Sequence, residues 1–361
     1  MSTIMKLEES VVFSLRKLYH NYGYSQFKMR KFEPYDLYAQ NKEFLVSDGV
    51  ITFTDTDGTL MALKPDVTLS IVKNFRNENS SIQKVCYNEN VYRISGAGHS
   101  YREIMQTGLE CLGDVGIYEV SEVITLAAKS LSHISTSYAL DLSHMGIVSL
   151  LLKELALSDP QTEEVLHYMS EKNNDALLSL LGEKKAGKLL SLMDISGTLP
   201  IALSQLKTII SCSAIDDLET LCSILTVNGV SDRIYLDFSI IGNCNYYNDF
   251  VFRGYVEGIP SAVLAGGQYD RLMQKMNKNS KAIGFAVYLD QLELLESRSD
   301  NYDVDTVLLY DNDSDLASVA KAVQTLSDKR VFISKLPPEQ LKYRTIMKYK
   351  NGRFVEYEPN C

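Results

Sequence analysis

At 361 residues the chain is long enough for two or three domains around a large core, and its apolar share of 45% and charged share of 23% are ordinary for a soluble globular protein. A net charge of −10 argues against a broad nucleic-acid footprint, which needs clustered Lys and Arg. No apolar run approaches the ~18 residues of a membrane span, no signal peptide precedes Leu7, and the six scattered cysteines and five separated histidines imply neither a disulfide framework nor a metal centre, so the cytosol is the simplest home.

Residues 1–22 predict a helix, with Val11, Leu15, Leu18 and Tyr19 at helical spacing and a stop at Asn21, Tyr22 and Gly23. The segment FKMRKFEPYDLY reads as a short extended piece running into a polar helix. Asp48-Gly49 marks a loop, and Val50–Thr54 and Leu60–Leu63 flank Asp57-Gly58, a strong hairpin signal. KPDVTLSIVKNF then begins a helix, with Pro65 suited to the first turn and Asp66 to its positive end.

The stretch from Ile82 to Gly113 is the most informative. Val85, Tyr87, Glu89, Val91 and Arg93 share one side of an extended strand; Gly96 and Gly98 reverse the chain; Ile104, Gln106, Gly108, Glu110 and Leu112 share a face of the returning strand. A carboxyl and an amide separated by a glycine would be costly in a dry core. They suit either the floor of a pocket for something polar, with Gly108 leaving room, or a surface hairpin with one wet face. IYEVSEVITLAAKSLSHI predicts an amphipathic helix and SYALDLSHM a strand. From Ile147 to about Val230 short helical repeats form an insert of roughly 80 residues, counted against ordinary helix lengths.

Asp232–Ile240 and Asp249–Glu257 predict strands, LAGGQYDRLMQKM a glycine turn entering a helix, and KAIGFAVYLDQLELLE a strand followed by a helix. Composition turns polar near Ser297–Tyr302, which reads as a boundary between a body of residues 1–297, carrying its insert at about 146–230, and a small unit of residues 302–361. In that unit VDTVLLY, a helix from Ser314 to Leu326 and RVFIS form a βαβ, and TIMKYK and RFVEYE a hairpin around Asn351-Gly352.

The ordered set LKPDVT, VYR…YREIMQTGLECLG, NYYNDFVFRGY, LAGGQYD and AIGFAVYLDQL resembles the histidyl-tRNA synthetase family and its catalytically inactive relatives. The resemblance implies an α+β fold: a class II aminoacyl-tRNA synthetase-like antiparallel sheet flanked by helices, with the helical insert and a small C-terminal α/β unit. It also implies a site for the amino acid's ammonium and imidazole at Asp66, Thr68, Gln106, Glu110, Tyr246, Tyr247 and Tyr269, groups able to pair with an amino group and satisfy both imidazole nitrogens.

The adenylating residues depart from the family. Arg93 remains, but Ser95 stands where its glutamate partner belongs, Gly242 where an arginine precedes the paired tyrosines, and Gln291 where the third motif carries its phosphate-binding arginine. Tyr288 replaces a usual glycine and Arg30 a first-motif proline. Arg93, Ser95 and Gln291 therefore read as a vestigial nucleotide site. Losing one preorganised donor costs about 10²–10³ in rate, so aminoacyl-adenylate formation is not expected.

A retained histidine pocket without nucleotide chemistry, and without a full anticodon-binding domain, resembles the regulatory subunits of ATP phosphoribosyltransferase. That resemblance implies a non-catalytic subunit of the first step of histidine biosynthesis, bound to a short catalytic subunit in a hetero-oligomer. L-histidine would be its feedback effector, self-association as a dimer would run through the first-motif region, and no cofactor, nucleic acid or membrane would be involved. The alternative is a divergent histidyl-tRNA synthetase or histidine-activating enzyme.

Overall fold

The computed structural model describes residues 6–45, 49–76, 81–94, 100–242, 246–296, 302–326, 329–350 and 352–357. Ser95, Gly96, Gly98, Asp48 and Asn351, all named above, lie outside the described residues.

The chain starts with helix α1 (Leu7–Asn21), strands β1 (Ser25–Gln26) and β2 (Phe32–Pro34) and helix α2 (Tyr35–Ala39). The hairpin β3 (Thr52–Thr54) and β4 (Leu60–Leu63) turns through Gly58 at φ +86°, the left-handed region in which glycine is favoured. Together β2, β4 and β3 make a small antiparallel sheet.

Helix α3 (Thr68–Asn74) begins later than the sequence suggests. Pro65 and Asp66 precede it, and the Asp66 carboxylate accepts the Leu69 amide at 2.9 Å, acting from outside the helix rather than in its first turn.

Two long strands, β5 (Gln83–Ile94) and β6 (Tyr101–Gly113), form an antiparallel ribbon in which Val85 faces Glu110, Tyr87 faces Gly108 and Glu89 faces Gln106. Helix α4 (Ile117–Ile134) buries Val120, Val123, Ile124, Ala127 and Leu131, the i, i+3, i+4 stripe its sequence promised, and packs against α1. Strand β7 (Tyr138–His144) leads into six helices: α5 (Met145–Glu154), α6 (Asp159–Ser170), α7 (Asn174–Leu181), α8 (Glu183–Met193), α9 (Leu199–Ile209) and α10 (Ser213–Val227). Most bury apolar residues at helical spacing, as in the Ala186, Leu189 and Leu192 face of α8, while α7 buries Leu177 alone.

Beyond the insert, β8 (Ile234–Leu236) is much shorter than Asp232–Ile240. The chain leaves the sheet because Asp237 turns back on itself, its carboxylate accepting the Ser239 amide at 2.9 Å and hydroxyl at 2.6 Å. Then come β9 (Phe250–Val256), β10 (Leu264–Gln268), α11 (Asp270–Lys275), β11 (Lys281–Tyr288) and the short α12 (Glu293–Glu296). The glycine pair Gly266-Gly267 lies within strand β10, not in the turn its sequence suggested. A Cβ on Gly266 would lie 2.4 Å from the Gly284 carbonyl, so glycine is needed for close strand approach.

The main sheet runs β1-β5-β6-β11-β10-β9-β7-β8, antiparallel except for parallel pairs at its two edges, β1 with β5 and β7 with β8. This large sheet with flanking helices is the class II synthetase-like architecture. A first compact unit spans Leu7–Leu294 and a second the residues beyond it. In the second, β12 (Val304–Leu309), α13 (Leu316–Gln324) and β13 (Val331–Ser334) form a parallel βαβ, extended by the hairpin β14 (Tyr343–Lys350) and β15 (Arg353–Glu356) in the order β13-β12-β14-β15. Among the described residues no helix is long and apolar enough to cross a membrane.

One buried ion pair secures the turn before α3 to the ribbon. Lys64, 1% exposed, pairs with Glu89 on β5, while the Lys64 carbonyl accepts the Tyr92 amide at 2.9 Å. Removing one partner of a buried pair typically costs about 3–5 kcal/mol because the other charge is stranded. Glu89→Gln should therefore lower stability by about 3 kcal/mol, read as a fall in the denaturant midpoint. The paired replacement Lys64→Met with Glu89→Leu should recover part of the loss.

Candidate functional site

Small residues hollow out one face of the main sheet. Reading across the register, Glu110 on β6 lies beside Gly284 on β11, then Gly267 on β10, then Val251 on β9. One pleat along, Gly108 is followed by Ala286, Ala265 and Arg253. With no bulky side chain in the middle of these rows, the face opens into a cavity of about 320 Å³, within the size range of small-ligand pockets. Asp66, Thr68, Arg93, Gln106, Glu110, Tyr246, Tyr247 and Tyr269 all line it.

Glu110 is the centre of the cavity. It is 2% exposed, and its two oxygens meet the hydroxyls of Thr68 at 2.9 Å and Tyr269 at 2.6 Å. Burial pushes its carboxyl up to about 8, against the pull of those two hydroxyls. The nearby Asp66 is also raised, chiefly by burial, and its bond from Leu69 and the charge of Arg93 oppose the rise. Two carboxyls thus face a cavity with no cation among the described side chains placed on Glu110. Gln106, 3% exposed, leaves its Nε2 without a partner. A buried amide that donates to nothing is costly unless a ligand supplies the acceptor.

The tyrosines form the opposite wall. Tyr246 stacks edge-on against Tyr247 with ring centres 4.6 Å apart, lies 5.9 Å from Tyr269, and reaches Thr68 with its hydroxyl. Burial holds all three phenols well above their ordinary range, so they stay neutral donors.

One expectation needs revision. Gly108 does not leave room for a ligand: a Cβ there would lie 2.5 Å from the Tyr87 hydroxyl and 2.2 Å from the Phe285 carbonyl, so the Tyr87 side chain occupies that space. The glycine that admits the pocket carboxyl is Gly284, where a Cβ would fall 1.6 Å from Glu110 Oε2. A glycine inside the apolar strand run AIGFAV was the available signal.

Of the residues read as a vestigial nucleotide site, Arg93 lines the cavity, yet its Nε donates to the Pro65 carbonyl at 3.1 Å and so braces the turn that carries Asp66. Gln291 is not in the cavity wall; it accepts from Ser261 at 2.7 Å in the turn after β11. Ser95 is outside the described residues. Tyr288 and Arg253 also line the cavity, and the sequence reading did not place either in a binding site.

The sheet and its flanking helices define a class II synthetase-like fold, with this cavity on one face of the sheet. The sequence profile described as histidyl-tRNA synthetase matches residues 4–292, and the chain belongs to that family. An ATP phosphoribosyltransferase regulatory subunit from Clostridium kluyveri is 26% identical over 95% of this chain and 92% of its own length. Among solved structures, an ATP phosphoribosyltransferase regulatory subunit/histidyl-tRNA synthetase from Bacillus halodurans is similar with a TM-score of 0.75, 21% identity and 96% of each chain covered. An ATP phosphoribosyl transferase complex from Thermotoga maritima is similar with a TM-score of 0.63 and 22% identity, covering 79% of this chain and 98% of that one.

The raised Glu110 has a consequence for stability. The unfolded chain releases this proton near 4.5, whereas the native state keeps it to about 8. Across that window the native state holds more protons, so stability falls as pH rises. Glu110→Gln should melt about 8–10 °C above the wild type at pH 8, with the gap closing near pH 4.5, in scanning calorimetry. Parallel melting curves at both pH values would contradict the assignment.

Proposed function

We propose that this chain is the regulatory subunit of ATP phosphoribosyltransferase, binding a short catalytic subunit in a hetero-oligomer and carrying L-histidine in the cavity around Glu110. The observation that carries the ligand reading is the unpartnered Nε2 of Gln106 beside a buried, cation-free Glu110. An α-amino acid with a hydrogen-bonding ring meets both needs: its ammonium ionises Glu110, and its ring or carboxyl offers Gln106 an acceptor. Asp66, Thr68, Tyr246, Tyr247 and Tyr269 supply the remaining polar contacts. The names of the similar proteins support the place in histidine biosynthesis.

The same geometry supports a subunit without adenylating activity of its own. A Cβ on Gly242 would lie 2.6 Å from the Tyr247 ring, so a side chain at that position requires Tyr247 to move. Gln291 is bonded to Ser261 instead of facing the cavity. In this reading residues 1–297 form the effector-binding body, with its insert at about 146–230, residues 302–361 form an accessory unit, and a dimer forms through the first-motif region around Arg30. Histidine acts by binding one arrangement of the complex more tightly than another, and a difference of ~1–3 kcal/mol suffices for feedback.

Calorimetry should show one L-histidine bound per chain, with affinity rising from pH 6.5 to 7.5 because binding must expel the Glu110 proton. Up to about one proton should leave per ligand, seen as a dependence of the heat on the buffer's ionisation enthalpy. The pure chain should show no histidine-dependent ATP–pyrophosphate exchange. Absence of histidine binding to the chain and to the complex overturns the effector role, and measurable exchange restores the reading as a histidine-activating enzyme.

A further inference from the structure

We propose that Arg253 is the carboxylate-binding residue of the cavity, so that the site selects a free amino acid and rejects the same molecule with its carboxyl group neutralised. This rests on the reading of the cavity as a histidine site and adds to it the residue that recognises the ligand's acidic end.

The cavity is polarised. Glu110 and Asp66 stand at one end, which suits an ammonium group. Arg253 stands on the same sheet face at the other, its register neighbours Ala265 and Ala286 leading back toward the ribbon. Three strand spacings across and two residues along, about 16 Å in all, separate the backbones at Glu110 and Arg253. The long arginine and shorter glutamate side chains narrow that to the reach of one small zwitterion. Nothing bulky intervenes, because the positions between are Gly284, Gly267, Ala286 and Ala265.

Arg253 is also uncommitted. It is exposed at the cavity and makes no hydrogen bond or ion pair among the described residues. Asp141 lies beside it in register on β7, yet no ion pair joins them. After burial, the groups that act on the Asp141 carboxyl are Asp237 and Lys172. The charge of Arg253 acts on the cavity instead. Burial dominates the raised phenols of Tyr247 and Tyr288, and Arg253 opposes it at both, joined by Arg93 at Tyr288. Arg93 spends its Nε on the Pro65 carbonyl and braces the turn that carries Asp66, whereas Arg253 has its whole fork of donors available for a two-pronged bond with a carboxylate. The neighbouring Gly242 has no space for a side chain while Tyr247 holds its position, so a guanidinium in this part of the cavity comes from strand β9.

The test is calorimetry of the full chain with L-histidine and with L-histidinamide, which keeps the ammonium and the ring and lacks the carboxylate. Wild type should prefer histidine by about 10–100-fold, the range for one charge-assisted contact. Arg253→Gln should weaken histidine binding by a similar factor and leave histidinamide binding unchanged, with Arg253→Lys between the two. Equal affinity of the wild type for both ligands overturns the assignment. So does an Arg253→Gln variant that weakens both ligands alike or neither. If the wild type binds neither compound, the histidine reading itself fails and this one with it.

Discussion

The site depends on a buried carboxyl placed where a strand would ordinarily have a packed side chain. Glu110 fits against the sheet because Gly284 has no Cβ, and it stays there because Thr68 and Tyr269 each hold one of its oxygens. Those partners come from distant parts of the chain: Thr68 from the start of α3 and Tyr269 from the end of β10. The contacts of one side chain therefore tie the turn after the small sheet to the far strands of the large one. The arrangement is not optimised for an empty protein, since burial holds the carboxyl protonated and leaves Gln106 unpaired nearby. Both costs are relieved by the same class of molecule, a small cation with hydrogen-bonding groups.

Supporting interactions keep this geometry in place. The buried Lys64–Glu89 pair and the Arg93–Pro65 bond fix the segment that presents Asp66 and Thr68. Arg93 thus has a structural use in bracing the turn that carries Asp66. On the same wall Tyr247 packs against both Gly242 and Gly267, and Tyr288 stands beside Gln106.

Much of this was legible in the sequence because strand periodicity is simple. Alternation alone put Gln106 and Glu110 on one face of β6, and the register of the ribbon follows from it. Asp66, Thr68 and the tyrosines could be assigned only through the ordered motifs, since no local pattern brings residues 66, 110 and 269 together. Gly108 was misread because a glycine says that something approaches closely without saying what, and here it is Tyr87. Arg253 was passed over because a charge in a strand looks like a solvent-facing position; only the pairing of β9 with β10 shows which cavity it borders. The strand after the insert was drawn too long because its apolar residues continue past the Asp237 turn.

L-histidine is proposed to act in the cavity around Glu110 and not at another surface. A crystal structure of the complex with its catalytic subunit, grown with saturating L-histidine, tests this directly. One histidine per chain should occupy the cavity, its ammonium on Glu110 and its presence satisfying the Gln106 amide. Histidine bound between subunits, with this cavity empty, would contradict it.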